Sequence, residues 1–174
     1  MIIEAIDSKN DTFLVKDVFP ENILNDILQL AEFNTDWEKL TLQEHQPRKV
    51  LKLHVFDDIN SHNLKLLSEI NEHLGSNYKN IFADLWCDTL GYESGIHLDN
   101  EQIVVSMQCY LGEASSLGTC FYTKVSEDNF QIRKEFNFIE NTGYLMINND
   151  NQWHGMTKDI PDGKNRLSVY FRIT

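Results

Sequence analysis

Arg166-Leu167-Ser168-Val169-Tyr170-Phe171-Arg172-Ile173 alternates polar and apolar side chains without a break. Successive side chains of a strand point to opposite sides. Leu167, Val169, Phe171 and Ile173 therefore share an apolar face, opposed by Arg166, Ser168, Tyr170 and Arg172. Residues 104–111 repeat the pattern, with Val105, Met107, Cys109 and Leu111 against Ser106, Gln108 and Tyr110. Helices covering the apolar sides would explain them. A polar side turned inward needs a ligand, water or polar partners, because polar groups buried without them are costly. Taken singly, each polar side is more simply a solvent-facing one, so the surrounding residues decide.

Outward from these two segments, the chain from about residue 80 onward consists of short apolar runs punctuated by Gly, Asn and Asp. This punctuation predicts strands near 80–87, 102–111, 118–125, 130–139, 143–149 and 166–173. The first half has another texture. Thr12-Phe13-Leu14-Val15 reads as a short strand, and residues 50–56 alternate well enough to be another. Pro20-Glu21 opens a helix carrying Ile23, Leu24, Ile27, Leu28 and Ala31 at helical spacing, and a second runs from about Ser61 to Leu74, with Gly75 where a C-cap belongs. Strands in series after two helices predict a mainly β fold with supporting α-helices, a β-barrel or jelly roll with the N-terminal helices packed on one sheet.

Six histidines occur. His45, His54, His62 and His73 fall in the helical half without an acidic neighbour at ligand-like spacing and read as surface or satisfied core residues. His97-Leu98-Asp99 differs: an imidazole and a carboxylate at i and i+2 on a strand or its end share one face and can reach one metal ion. His154, in Gln152-Trp153-His154-Gly155, is the remaining histidine of the β half. Two imidazoles and one carboxylate form the facial triad of non-haem Fe(II) oxygenases, which leaves coordination positions open. Twelve residues after His154 comes Arg166. Its planar fork suits a carboxylate, and Ser168 and Tyr110, on inward faces, can add hydroxyl donors.

These segments together are similar to the double-stranded β-helix of the 2-oxoglutarate/Fe(II) dioxygenase superfamily, in its prolyl-hydroxylase-like branch. Gly91-Tyr92-Glu93-Ser94-Gly95-Ile96-His97-Leu98-Asp99-Asn100 resembles that branch's approach to its HxD motif. Ser106 to Gly112 resembles the family strand ending in Tyr-Leu-Asn, with Gly112 in place of the Asn. Leu117 to Tyr122 resembles the strand that follows, Asn141–Met146 through Trp153-His154-Gly155 resembles the stretch with the distal histidine, and Arg166-Leu167-Ser168 resembles the RxS co-substrate motif. The resemblance covers about 90 residues, in order. It implies one domain over 1–174, with a strand and support helices in 1–79 and the β-helix core in 80–174. It also implies Fe(II) held by His97, Asp99 and His154, with 2-oxoglutarate and O2 as co-substrates. Tyr110, Arg166 and Ser168 would hold the far end of 2-oxoglutarate, succinate and CO2 would leave, and a C–H bond would be hydroxylated. Halogenating members carry a small residue at the carboxylate position, so Asp99 favours hydroxylation, or demethylation through a hydroxylated methyl. Trp86, Tyr92 and Trp153 lie near the ligands and are candidates for the entrance, or for packing.

Composition sets the remaining bounds. Hydrophobic residues at 41% and charged residues at 24% suit a globular chain. No apolar run approaches the roughly 20 residues of a membrane span. The N-terminus has no basic stretch of a signal peptide, and Cys87, Cys109 and Cys120 form no CxxC pair. A cytoplasmic, reducing location is the expectation. The net charge of −12 disfavours a nucleic-acid partner; a small molecule or protein side chain is expected instead, and Glu101 and Glu113 would favour a basic one. Two other functions share these residues: a module that binds metal or dicarboxylate without turnover, and a cupin-like enzyme using zinc or manganese without 2-oxoglutarate.

Overall fold

The computed structural model describes residues 1–7, 9, 11–40, 48–113 and 115–174. His45 lies outside them, and of His54 only the backbone is described. Two strands open the chain, β1 (Ile2–Asp7) and β2 (Thr12–Lys16), followed by α1 (Glu21–Phe33), β3 (Glu38–Leu40) and β4 (Arg48–Lys52). The second helix α2 (Asp57–Leu74) leads into β5 (Ile81–Asp88), β6 (Val105–Leu111), β7 (Ser115–Ser126), β8 (Asn129–Phe138), β9 (Thr142–Ile147), β10 (His154–Gly155) and β11 (Arg166–Ile173). Eight strands form one antiparallel sheet in the order β1-β2-β9-β6-β11-β5-β4-β3, and β10-β7-β8 form a second.

The parity of β6 and β11 builds the molecule in layers. Met107, Cys109 and Leu111 of β6 and Val169, Phe171 and Ile173 of β11 join one cluster with Ile23 and Ile27 of α1 and Ile59, Leu66 and Ile70 of α2. The helices thus cover one face of the large sheet, as expected from the sequence. Ile27 and Ile70 are fully buried there, each worth about 1.5–3 kcal/mol of transfer from water. On the opposite face Tyr110, Tyr144 and Met146 pack with Phe121, Phe136 and Phe138 of the smaller sheet. The polar members of β6 lie in this second layer and find partners across it.

Two expectations need adjustment. Residues 50–56 are not one strand: β4 ends at Lys52 and Leu53–Val55 tighten into a 3-10 turn, with Leu53 wholly buried. The cause is the neighbouring helix start, because Asp57 and Asp58 occupy the first turn of α2, where acidic side chains complement the helix dipole. The helix accordingly begins four residues earlier than its apolar stripe indicates. It stops at Gly75, whose φ of 62° is left-handed. Strands β1 and β3 lie at the two edges of the large sheet, where side-chain alternation is weakly enforced. Asn141 ties the layers together, its amide bonding both the N–H and the C=O of Phe19 at 2.9 and 2.8 Å.

Candidate active site

His97 and His154 meet through their backbones before their side chains. The N–H of each donates to the C=O of the other, at 2.9 and 3.0 Å, as an isolated antiparallel bridge outside any strand around His97. His154 itself sits on β10, held by pairing with Phe121 of β7. The HxD segment is therefore anchored by a single bridge rather than by a strand of its own.

The side chains are then oriented by what their outer atoms bond. His97 Nδ1 lies 2.8 Å from the C=O of Gly95, and His154 Nδ1 lies 2.8 Å from the C=O of Gln152. A carbonyl only accepts, so Nδ1 carries the proton in each neutral ring and Nε2 keeps its lone pair. Both Nε2 atoms face Asp99 Oδ1, at 3.7 and 3.6 Å. The other oxygen, Oδ2, is occupied by the hydroxyls of Tyr170, at 2.9 Å, and Ser106. One ligand atom from each residue lies within 4.8 Å of the others, so the group can hold a metal ion. The donor set, two imidazole nitrogens and a carboxylate oxygen with outer atoms satisfied, fits a divalent transition metal such as iron.

Charge follows the same geometry. Burial pushes the Asp99 carboxyl up, but His97, His154, Ser106 and Tyr170 outweigh it and hold the group at about 2. Asp99 raises His97, while burial lowers His154. His97 stands at the mouth with 43% of its side chain exposed, and His154 is buried behind it.

The triad lines a cavity of about 70 Å³ together with Arg166, Gln108 and Thr119. Arg166 is 2% exposed. Its Nη1 donates to Asp88 at 2.9 Å and its Nη2 to Gln108 Oε1 and Thr119 Oγ1 at 3.2 and 3.1 Å. Its Nε is buried without a partner. A buried guanidinium that lines a cavity and keeps one N–H unpaired suits a carboxylate ligand. Asp88 is satisfied within the protein, both of its oxygens accepting from arginine N–H groups.

Of the other residues expected at the site, Trp86 and Tyr92 line the cavity. Tyr110 and Ser168 stand next to its lining rather than on it: the Tyr110 hydroxyl accepts the Thr119 N–H at 3.1 Å, and Ser168 accepts from Gln108 Nε2 at 2.9 Å. Trp153 packs outside, on Phe130, with Lys124 over its ring. Glu101 borders a separate depression beside Asp99, and both Glu101 and Glu113 are exposed. His62 bonds the C=O of Val18, and His73 packs edge-on against Phe13. The three cysteines are free. Sequence reasoning missed Thr119, Asp88 and Arg48. Strand parity places Asp88 on one face with Trp86, but nothing in the sequence signals the reach of Arg48 from β4.

No protein-family model matches the chain, and no curated protein matches it in sequence. Solved structures do match. A prolyl-4-hydroxylase from Pseudomonas putida superposes with a TM-score of 0.66 at 12% identity, over 95% of this chain and 93% of that one. A prolyl hydroxylase from Trichoplax adhaerens, in complex with a hypoxia inducible factor peptide fragment, gives 0.67 at 14% identity over 95% and 84%. HygX from Streptomyces hygroscopicus, with nickel, 2-oxoglutarate and hygromycin B bound, gives 0.66 at 12% identity over 95% and 83%. No helix among the described residues is long and apolar enough to cross a membrane. The chain thus has the fold of these prolyl hydroxylases and of HygX over nearly its whole length, at identities that carry the fold alone.

Proposed function

We propose that residues 1–174 form one double-stranded β-helix domain that acts as an Fe(II)- and 2-oxoglutarate-dependent dioxygenase. It would hydroxylate, or demethylate through hydroxylation, a small molecule or a protein side chain. The observation that carries this reading is the convergence of His97 Nε2, His154 Nε2 and Asp99 Oδ1 on a cavity that a buried arginine also lines. His97, Asp99 and His154 would hold the metal. Arg166 would pair with the far carboxylate of 2-oxoglutarate, assisted by Tyr110, whose hydroxyl accepts from Thr119 and keeps its own proton to donate, and by Ser168 through Gln108. Bound together, Fe(II) and 2-oxoglutarate would supply oxidative decarboxylation by O2, one oxygen atom entering succinate as CO2 leaves and the other entering the substrate's C–H bond.

The protein's own part is orientation and exclusion. Fixing Asp99 Oδ2 leaves Oδ1 to the metal, and the Nδ1 bonds fix both imidazole tautomers. Trp86 and Tyr92 line the cavity together with Arg48, and substrate would enter past His97, the exposed member of the triad. The neighbours in this fold carry ligands as different as a peptide and hygromycin B, which leaves both substrate classes in play here.

Succinate formation decides the reading. Protein supplied with Fe(II), 2-oxoglutarate and O2 should form succinate, and His97→Ala and His154→Ala should abolish it. Anaerobic protein with both should show the weak visible charge-transfer band of the chelate. Full turnover in both variants, or iron binding without the band, overturns it.

A further inference from the structure

Arg166 is not alone with Asp88. Arg48, from the start of β4, reaches the same carboxylate: its Nε donates to Oδ1 at 2.6 Å and its Nη2 to Oδ2 at 3.1 Å. Asp88 is wholly buried, and 12% of the Arg48 side chain is exposed. The guanidinium is sandwiched between the rings of Trp86, 3.7 Å away, and Tyr92, 4.3 Å away, a placement that favours a cation. Arg48, Trp86 and Tyr92 all line the cavity.

Two guanidinium groups thus share one carboxylate, and they share it unequally. Arg48 makes the two-point contact. Arg166 touches one oxygen of Asp88; its Nη2 goes to the neutral oxygens of Gln108 and Thr119, and its Nε goes to none. Were Arg48 absent, Asp88 and Arg166 would form a closed neutral pair, with little remaining attraction for a second carboxylate in a buried place. We propose that Arg48 is a positioning residue for the dicarboxylate: by taking up the charge of Asp88 it leaves that of Arg166 to the ligand's far carboxylate. This rests on the reading of Arg166 given under the proposed function.

The test is calorimetric titration of Ni(II)-loaded protein with 2-oxoglutarate and with 2-oxovalerate, which has the same chelating end and no far carboxylate. Arg48→Met should weaken 2-oxoglutarate binding about tenfold or more, the scale of a lost charged hydrogen bond, and leave 2-oxovalerate binding and Ni(II) binding near native. Arg48→Met/Asp88→Asn removes both charges and should restore 2-oxoglutarate binding to within about threefold of native. If Arg48→Met binds 2-oxoglutarate as native does, the proposal is wrong. If the double variant binds no better than the single one, Arg48 contacts the ligand directly and the proposal is again wrong. Should Arg48→Met alone not fold, the double variant decides: near-native binding supports the proposal and lost binding overturns it. Native protein that binds both ligands equally removes Arg166 from ligand binding, and the proposed function's co-substrate site falls along with this inference.

Discussion

The Tyr170 hydroxyl donates to Asp99 Oδ2 at 2.9 Å, and the Ser106 hydroxyl donates to the same oxygen. Burial, then the Asp99 charge, push the phenol far above its ordinary range, so it remains a donor. Ser106 is fixed in turn by the amide of Asn148 at 3.0 Å. This network turns Oδ1 toward both imidazoles. Tyr170→Phe keeps the ring stacked on Trp86, 4.1 Å away, and deletes the bond. We expect metal affinity to fall about tenfold or more, the usual cost of losing an outer partner of a metal ligand, with the melting temperature little changed. Competition against a metal-sensitive dye measures it; native affinity in Tyr170→Phe would mean that Ser106 alone orients Asp99.

Gly155 gives a second handle on the same centre. A Cβ there would lie 2.7 Å from the C=O of Gly95 and 2.8 Å from that of Ser94. Both are backbone atoms of the segment that carries His97, and Gly95 also accepts from His97 Nδ1. Gly155→Ala should push that segment off β10 and break the bridge between His97 and His154. The expected result is metal binding weakened beyond that of Tyr170→Phe in a protein that still folds, since neither of the two larger core clusters includes a residue of this segment. Native metal affinity in Gly155→Ala would show the segment able to shift without moving its ligand.

The sequence exposes the candidate metal site because one segment, His97-Leu98-Asp99, already brings two ligand types close together. His154 follows from being the remaining histidine of the β half. The layered fold is legible in β6 and β11 for a related reason: both are buried on two faces that differ in polarity, so alternation survives in the residues. Arg48 and Thr119 were not legible. Arg48 reaches the site through the pairing of β4 with β5, strands separated in the chain by the whole of α2, and Thr119 through contacts with Gln108 of β6 and Arg166 of β11; long side chains such as Arg also reach across several positions. The parity of Tyr110 and Ser168 indicates their side of the sheet but not their depth, and depth separates a residue on the cavity wall from one behind it.

His62 offers a pH test away from the metal centre. Burial lowers its pKa from 6.5, outweighing the Val18 carbonyl and the Glu69 charge, which raise it; Lys65 and the N-terminal amine lower it further. Below about pH 6.5 the unfolded chain takes up this proton more readily than the folded one. Stability contributed by the neutral ring is therefore complete above that pH. It is lost as pH falls from 6.5 through the lowered folded value, and the loss is constant below it. Denaturant titrations at pH 7.5 and 5.5 should show a smaller loss of stability for His62→Gln than for native protein. An equal loss in both would place the acid sensitivity in other groups.

Tyr110 separates support from ligand contact. Its ring stacks on Phe138 at 4.9 Å, and its hydroxyl accepts the buried N–H of Thr119. Tyr110→Phe keeps the ring and leaves that N–H without an acceptor, at a cost of about 1–3 kcal/mol, so the melting temperature should drop. If the phenol proton also reaches the dicarboxylate, 2-oxoglutarate binding should weaken about threefold to tenfold, in line with one hydrogen bond to a charged group. Arg166→Met, which removes the charge itself, should weaken it far more. Calorimetry with Ni(II)-loaded protein, paired with thermal melts, resolves the two contributions. A lower melting temperature with native affinity would assign Tyr110 wholly to holding β7 at Thr119, and the far carboxylate to Arg166 and its neighbours on the cavity wall.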